Sequence, residues 1–242
     1  MSRTPTNELG QPVGPPVPGW KGVERPPRAV MAGRYCRVEP IDRARHAEDL
    51  YRANALDPSN RNFTYLSVGP FDSFDAYAQW MTSARASEDP LFHAIIDAGT
   101  GKAVGIASYM RIDPANGVIE VGHLNYSPLL QRKPAATEAM YLMMKRAFEL
   151  GYRRYEWKCD SLNAASRAAA QRLGFSYEGV FRQAGVYKGR SRDTAWYAII
   201  DGEWPELERA FARWLDPANF DAQGTQRERL SDLTAPVLKK RG

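Results

Sequence analysis

Two titratable side chains lie three residues apart in the run Val118–Tyr126 (VIEVGHLNY): the carboxylate of Glu120 and the imidazole of His123. Either can take a proton from an attacking nucleophile, and a histidine does so near neutral pH. Glu120 is the first candidate base and His123 the second. The run alternates as a strand does, so the two point to opposite faces unless the strand is bulged at Gly122. Each group also has an ordinary reading, because a strand glutamate commonly faces solvent or a counter-ion. Tyr126, at the end of the run, suits either a ligand or the core.

A second constellation follows. Gln131-Arg132-Lys133-Pro134-Ala135-Ala136-Thr137 ends a loop and opens a helix. Free backbone amides and the positive helix end can hold a phosphate group there. Arg132 and Lys133 add charge at the same point. Alone, a basic loop before a helix is also an ordinary connection. Further on, Asn163-Ala164-Ala165-Ser166 opens another helix, where a serine can satisfy backbone amides.

These groups need elements to position them. Arg34–Glu39 reads as a strand and Arg43–Ala55 as a helix. Phe71–Ala86 reads as a second helix, with Asp72 or Ser73 as its cap. Phe92–Asp97, Val104–Arg111 and Val118–Tyr126, separated by AGTGK and DPANG, form an antiparallel meander. Ala135–Leu150 is rich in strong helix formers and stops at Gly151. The strand Arg154–Cys159 follows that long helix and is expected to pair in parallel with Val118–Tyr126. Ala164–Leu173 reads as a helix. Phe175–Arg182 and Asp193–Ile200 read as two last strands, joined by a turn-rich Gly185–Arg192. Pro205–Trp214 is an amphipathic helix with Pro in its first turn. Residues 1–33 are expected to be a Pro/Gly-rich arm pinned by Trp20 and Val23, residues 34–215 the main domain, and residues 216–242 a polar tail draped over the surface.

Composition narrows the function. The chain has 242 residues, 43% hydrophobic and 25% charged, which fits one α/β domain with extra arms. The net charge of +5 attracts nucleic acid or a small anionic ligand. No nucleic-acid recognition motif accompanies it, so nucleic acid is not expected as a partner. Cys36 and Cys159 have no zinc or redox spacing, and both are expected buried in strands, with no metal bound. No apolar run is long enough to cross a membrane and the N-terminus lacks a signal-peptide core, so a cytoplasmic location is expected.

The loop at Gln131–Thr137 resembles the Q/R-x-x-G-x-G/A loop of the GNAT N-acetyltransferases. Asn163-Ala164-Ala165-Ser166 with Leu173-Gly174-Phe175 resembles that family's N-x-x-S…L-G-F segment. Glu178-Gly179, Arg182, Tyr187, Gly189, Arg192-Asp193 and Trp196-Tyr197 extend the likeness toward the RimJ/RimL-like branch. Arg192-Asp193 is expected to be a structural ion pair at a hairpin. The resemblance covers roughly residues 34 to 200. It implies an α/β (α+β) fold: a mixed, twisted, mostly antiparallel sheet, flanked by helices, whose central strands splay into a V. It implies acetyl-CoA as co-substrate. The pantetheine would lie along Leu124, Asn125 and Tyr126, and the pyrophosphate on Gln131, Arg132, Lys133, Ala135, Ala136 and Thr137, with Asn163 bonding the cofactor. It implies transfer of an acetyl group, by direct attack, to a primary amine of a small molecule or a protein N-terminus. Many members carry an acidic tyrosine seven residues after the asparagine; here that position is Ala170, and Ser166 takes the role in the resembled branch. The loop's first glycine position is Pro134, which lacks an N–H and either reshapes phosphate binding or simply starts the helix. These departures leave an alternative: a non-catalytic acyl-CoA-binding sensor or partner-binding protein. The resemblance is also compatible with a homodimer.

Overall fold

In the computed structural model, which describes residues 4–242, eight strands form a single sheet in the order β1-β2-β3-β4-β5-β6-β8-β7. The strands are β1 Met31–Ala32, β2 Cys36–Pro40, β3 Leu91–Asp97, β4 Ala103–Asp113, β5 Val118–Tyr126, β6 Arg154–Asp160, β7 Ser176–Tyr187 and β8 Arg190–Ile200. The helices are α1 Arg43–Ala55, α2 Phe74–Ala86, α3 Pro134–Glu149, α4 Ala164–Arg172, α5 Trp204–Leu215 and α6 Leu230–Thr234. This is the mixed, mostly antiparallel architecture expected. Only β5 and β6 pair in parallel, because α3 carries the chain back across the sheet between them.

Two cores cover the two faces. Met140, Met143, Met144 and Ala147 of α3 pack with Phe211 of α5 and Ala170 of α4 on one face. Leu50 of α1 and Tyr77 and Met81 of α2 pack with Phe92 and Ile106 on the other. Helix starts follow their capping residues: Asp42 accepts from the Arg45 amide and Ser73 from the Ala76 amide. Capping by Ser73 leaves Phe71 outside α2, where it packs against Phe63, Tyr77 and Trp80. Cys36 and Cys159 are free and buried.

Local irregularity shapes the sheet centre. Ile106 pairs with Asn125 and Ser108 with Gly122, so β5 carries one extra residue between Gly122 and Asn125. His123 sits in this bulge at φ +50°. A Cβ at Gly122 would come 2.4 Å from Met110 Sδ, so any side chain there would make Met110 move. A bulge increases local twist and re-aims the strand. The β5–β6 pairing runs from Val118↔Arg154 to Val121↔Trp157 and stops where the bulge begins.

Three expectations need correction. The connection expected over Gly185–Arg192 is mostly strand: β7 and β8 continue as a hairpin to Tyr187 and Arg190. Its turn is Lys188-Gly189, both at positive φ, which suits the twist of a two-residue hairpin loop. Its strands are exposed on both faces near the tip, so no apolar alternation marks them. Second, residues 216–242 are not a surface drape, since Leu230, Thr234 and Val237 are buried and Lys240 O accepts from the Tyr177 amide. Third, Arg192 and Asp193 form no ion pair; Asp193 accepts from the Gln183 amide and Arg192 donates to Thr194.

The arm docks at one end of the sheet. Trp20 Nε1 donates to Ala115 O at 2.8 Å, the Val23 amide to Pro114 O at 3.0 Å, and Tyr152 Oη to Glu24 O at 3.1 Å. These contacts lie at the β4–β5 turn, away from Leu124–Tyr126. Residues 1–3 of the arm fall outside the described residues.

Candidate active site

Beyond Val121 and Trp157 the two central strands part. Gly122–Tyr126 keeps β4 on one side and has no strand on the other, while Lys158–Asp160 stays paired with β8. A strand edge left open in this way can pair with an extended ligand. Leu124, Asn125 and Tyr126 lie on that edge, and a buried Asn125 Oδ1 there has no partner. Gln131 braces the end of the opening, its Nε2 donating to Tyr126 O at 2.8 Å and to Asn62 Oδ1 at 3.0 Å.

The basic loop sits at the mouth. Arg132 adopts a left-handed conformation at φ +61°, and Lys133 precedes α3 without a side-chain cap. Pro134 is the first helical residue, where its missing N–H leaves no intrahelical bond unmade. The amides of Arg132 and Ala135 donate to no acceptor among the described residues, so both are free for an anion. The Ala136 amide is taken by Lys133 O. The Thr137 side chain is buried and accepts from Arg172 Nη1 at 3.1 Å, which ties α3 to α4.

Glu120 lies one residue before the point where the strands part. It is 2% exposed. Arg111 Nη1 stands 2.7 Å from its Oε1 and Lys158 Nζ 3.1 Å from its Oε2. Lys158 Nζ also lies 2.6 Å from Glu156 and 3.7 Å from the centre of the Trp196 ring. Arg154 continues the chain of charges, at 2.6 Å from Glu156 and as a fork on Glu178. Burial raises the Glu120 carboxyl above the ordinary glutamate value, against the pull of Arg111 and Lys158. Sequence reading missed Lys158, Arg111 and Glu156. Glu156 and Lys158 alternate on one face of β6, but only the register Glu120↔Glu156 shows that this is the face of Glu120.

The bulge places His123 on that face too. Glu120 pairs with Met110, two residues from Ser108, which pairs with Phe92. His123 meets Phe92 edge-on at 4.8 Å and stacks on Trp80 at 5.6 Å. Burial lowers its pKa to about 4, so it is neutral at pH 7 and a weak base.

Ser166 is not the helix cap. Asn163 caps α4, its Oδ1 accepting from the Ser166 amide at 3.0 Å, and Asn163 Nδ2 remains available. The Ser166 hydroxyl accepts from Trp157 Nε1 at 3.0 Å. That bond occupies a lone pair and leaves the hydroxyl proton to be donated, with the Cys159 thiol within its reach. Trp157 is the last β6 residue paired with β5, so Ser166 is tied to the point of divergence.

A segment near residues 62–65 bridges the walls. Asn62 binds Gln131, Phe63 O accepts from Lys188 Nζ at 2.6 Å, and Tyr65 Oη donates to Leu162 O at 3.3 Å. The loop before α3, the loop before α4 and the β7–β8 turn are thereby joined by one strap. Among the described residues, no group of three or more His, Cys, Asp or Glu side chains could hold a metal ion, and no helix is long and apolar enough to cross a membrane.

Comparison with known proteins agrees with this geometry. A family model described as an acetyltransferase (GNAT) domain matches residues 37–176. A solved GCN5-related N-acetyltransferase from Brucella melitensis is 45% identical, with 90% of this chain and 100% of that chain covered and a TM-score of 0.89. A solved "probable" GNAT-family acetyltransferase from Chromobacterium violaceum is 42% identical, with 81% and 98% covered and a TM-score of 0.75. RimL, a ribosomal L7/L12 alpha-N-protein acetyltransferase, is 20% identical, with 71% and 94% covered and a TM-score of 0.61, a likeness of fold alone. No curated protein sequence matches the chain.

Proposed function

The chain belongs to the GNAT family and is an acyl-CoA-dependent acetyltransferase, and from that premise we propose that it acetylates the primary amine of a small molecule. The observation that carries this reading is the buried Glu120 carboxylate, fixed between Arg111 and Lys158 where β5 and β6 part. The open edge at Leu124–Tyr126 holds the pantetheine arm of acetyl-CoA. The pyrophosphate rests on Arg132, Lys133 and the free amides at the start of α3, and Asn163 Nδ2 donates to the donor substrate.

The amine nitrogen attacks the thioester carbonyl carbon. A C–N bond forms, the C–S bond breaks and the sulfur leaves as thiolate. The nitrogen loses one proton, which Glu120 accepts directly or through water. The thiolate gains one proton from the Ser166 hydroxyl, which Trp157 holds in place; the serine regains a proton from water as Glu120 releases its own to solvent, so the enzyme returns to its starting state. His123, neutral and stacked between aromatic rings, shapes the site and does not act as the base.

The strap at residues 62–65 supports a small acceptor, because it crosses the opening that a peptide would need. The motif likeness to the RimJ/RimL-like branch supports the contrary choice, a protein N-terminus. Among the described residues neither the arm nor α5 closes the opening: the arm docks at the β4–β5 turn and α5 stacks on Tyr141 and Phe148 of α3. A thiol-release assay with acetyl-CoA against free amines and N-terminal peptides decides the matter. Release with free amines, reduced about tenfold or more in Ser166→Ala, is expected. Release with peptides alone would overturn the small-acceptor reading, and release with no amine at all would overturn acetylation of amines.

A further inference from the structure

Beside the transfer site lies a pocket of about 210 Å³, between the end of α1, the start of the strap and α2. A dry cavity of roughly 150 Å³ already admits a benzene ring, so this one takes a substantial chemical group. Four aromatic rings line it: Tyr51, Phe63, Phe71 and Tyr77. Tyr77 meets Tyr51 at 5.8 Å and Phe71 at 5.2 Å, and Phe71 meets Phe63 at 6.0 Å. Gly69 fixes this wall, since a Cβ there would come 2.5 Å from the Phe63 ring.

The polar groups in the wall are of one kind. Asn54, Asp57 and Asn60 line the pocket, and among the described residues no lysine, arginine or histidine does. Tyr77 is 2% exposed and its hydroxyl has no partner. A buried hydroxyl without a partner is costly and calls for a ligand atom. Asp57 accepts from Ser59 and pairs at 3.1 Å with Arg61, a mostly exposed side chain outside the lining, so a bound cation shares this carboxylate with Arg61. Aromatic faces, carboxamide oxygens and a carboxylate together attract a cation.

One aromatic layer stands between the pocket and the β5 bulge. Phe71 and Tyr77 pack on Trp80 at 5.5 and 5.7 Å, and the far face of that layer is His123 in the β5 bulge. We infer that the pocket selects the acceptor by its charge: it binds the cationic end of a primary amine that carries a second, positively charged nitrogen. This inference rests on the reading that the enzyme acetylates amines. One nitrogen attacks the thioester as the neutral amine, while the other stays protonated among Tyr51, Phe71, Tyr77 and the Asp57 carboxylate.

The test compares kcat/KM for linear diamines of increasing chain length with the monoamines of matching length, beside direct binding of tetramethylammonium to the whole protein followed by tryptophan fluorescence. Diamines above a threshold length are expected to exceed their monoamines at least tenfold. Tyr77→Phe and Asp57→Asn are expected to cut that ratio threefold or more and to weaken tetramethylammonium binding, with circular dichroism confirming that both variants fold. Equal use of diamines and monoamines, or a ratio and a binding curve unmoved by both substitutions, would overturn the inference while leaving amine acetylation intact. Absence of turnover with every amine would strike the underlying reading instead, and the fluorescence titration would then judge the pocket alone: binding lost in the variants supports it, and no binding by the parent protein overturns it.

Discussion

Glu120 is a charge held out of water by other charges. Taking each ion from water costs several kcal/mol, and removing one member of a buried pair typically destabilises by about 3–5 kcal/mol. Lys158 is the member whose loss tells most, since it touches Glu120, Glu156 and the Trp196 face together. A neighbouring cation favours the ionised carboxylate, and the base acts when ionised. Lys158→Met therefore raises the pKa of Glu120, and the acidic limb of kcat/KM moves to higher pH. Lys158→Arg, which keeps the charge, holds the limb near its original position. A pH profile measured on both variants checks this, and an unmoved limb in Lys158→Met would count against it. The sequence offered Glu120 and Ser166 as types suited to proton transfer, the role proposed for them here. Lys158 was not, because a residue on β6 meets Glu120 only through the register of a parallel pair, which no local pattern encodes.

Among the elements, β5 and α3 do most of the positioning. The bulge at Gly122–Asn125 ends the pairing with β6 and turns His123 onto the face of Glu120. The glycine signalled a bulge in the sequence; the face that His123 would take needed the partner strand. The α3 start offers an anion two kinds of donor, the free amides and the exposed Arg132 and Lys133. Replacing both side chains by alanine is expected to raise KM for acetyl-CoA about tenfold, with kcat little changed, because the groups lie away from the reacting atoms. The effect should shrink as salt rises, since exposed charges are screened beyond about 10 Å at 0.1 M. Steady-state kinetics at two ionic strengths measures it. The bounds of α1 and β5 were legible because their apolar residues recur at the right period. The tip of the β7–β8 hairpin was not, because it buries neither face.

Across the whole molecule, the two ends of the chain behave differently. Residues 4–19 are exposed, and the first anchored side chain is Trp20. The C-terminal segment instead completes the core, with Leu230 and Val237 buried and Thr234 Oγ1 bonded to Arg172 O. Its apolar residues are too sparse to show a period, so the sequence read as a polar tail. Deleting residues 1–16 is expected to leave the melting temperature nearly unchanged. Ending the chain at Leu215 is expected to lower it by many degrees, because two buried aliphatic side chains alone are worth about 3–6 kcal/mol. Thermal denaturation of the two truncations compares them.

The proposed reaction turns on a carboxylate taking the amine proton where β5 and β6 part. Its most direct test is the pH dependence of acetyl-CoA thiol release for the parent enzyme and for Glu120→Gln, with an accepted amine. The parent should lose activity as the pH falls through a limb above the ordinary glutamate value near 4.3, and Glu120→Gln should lose that limb and about 10²-fold or more in kcat/KM. A Glu120→Gln enzyme with the parent's rate and the parent's limb would contradict the role assigned to Glu120.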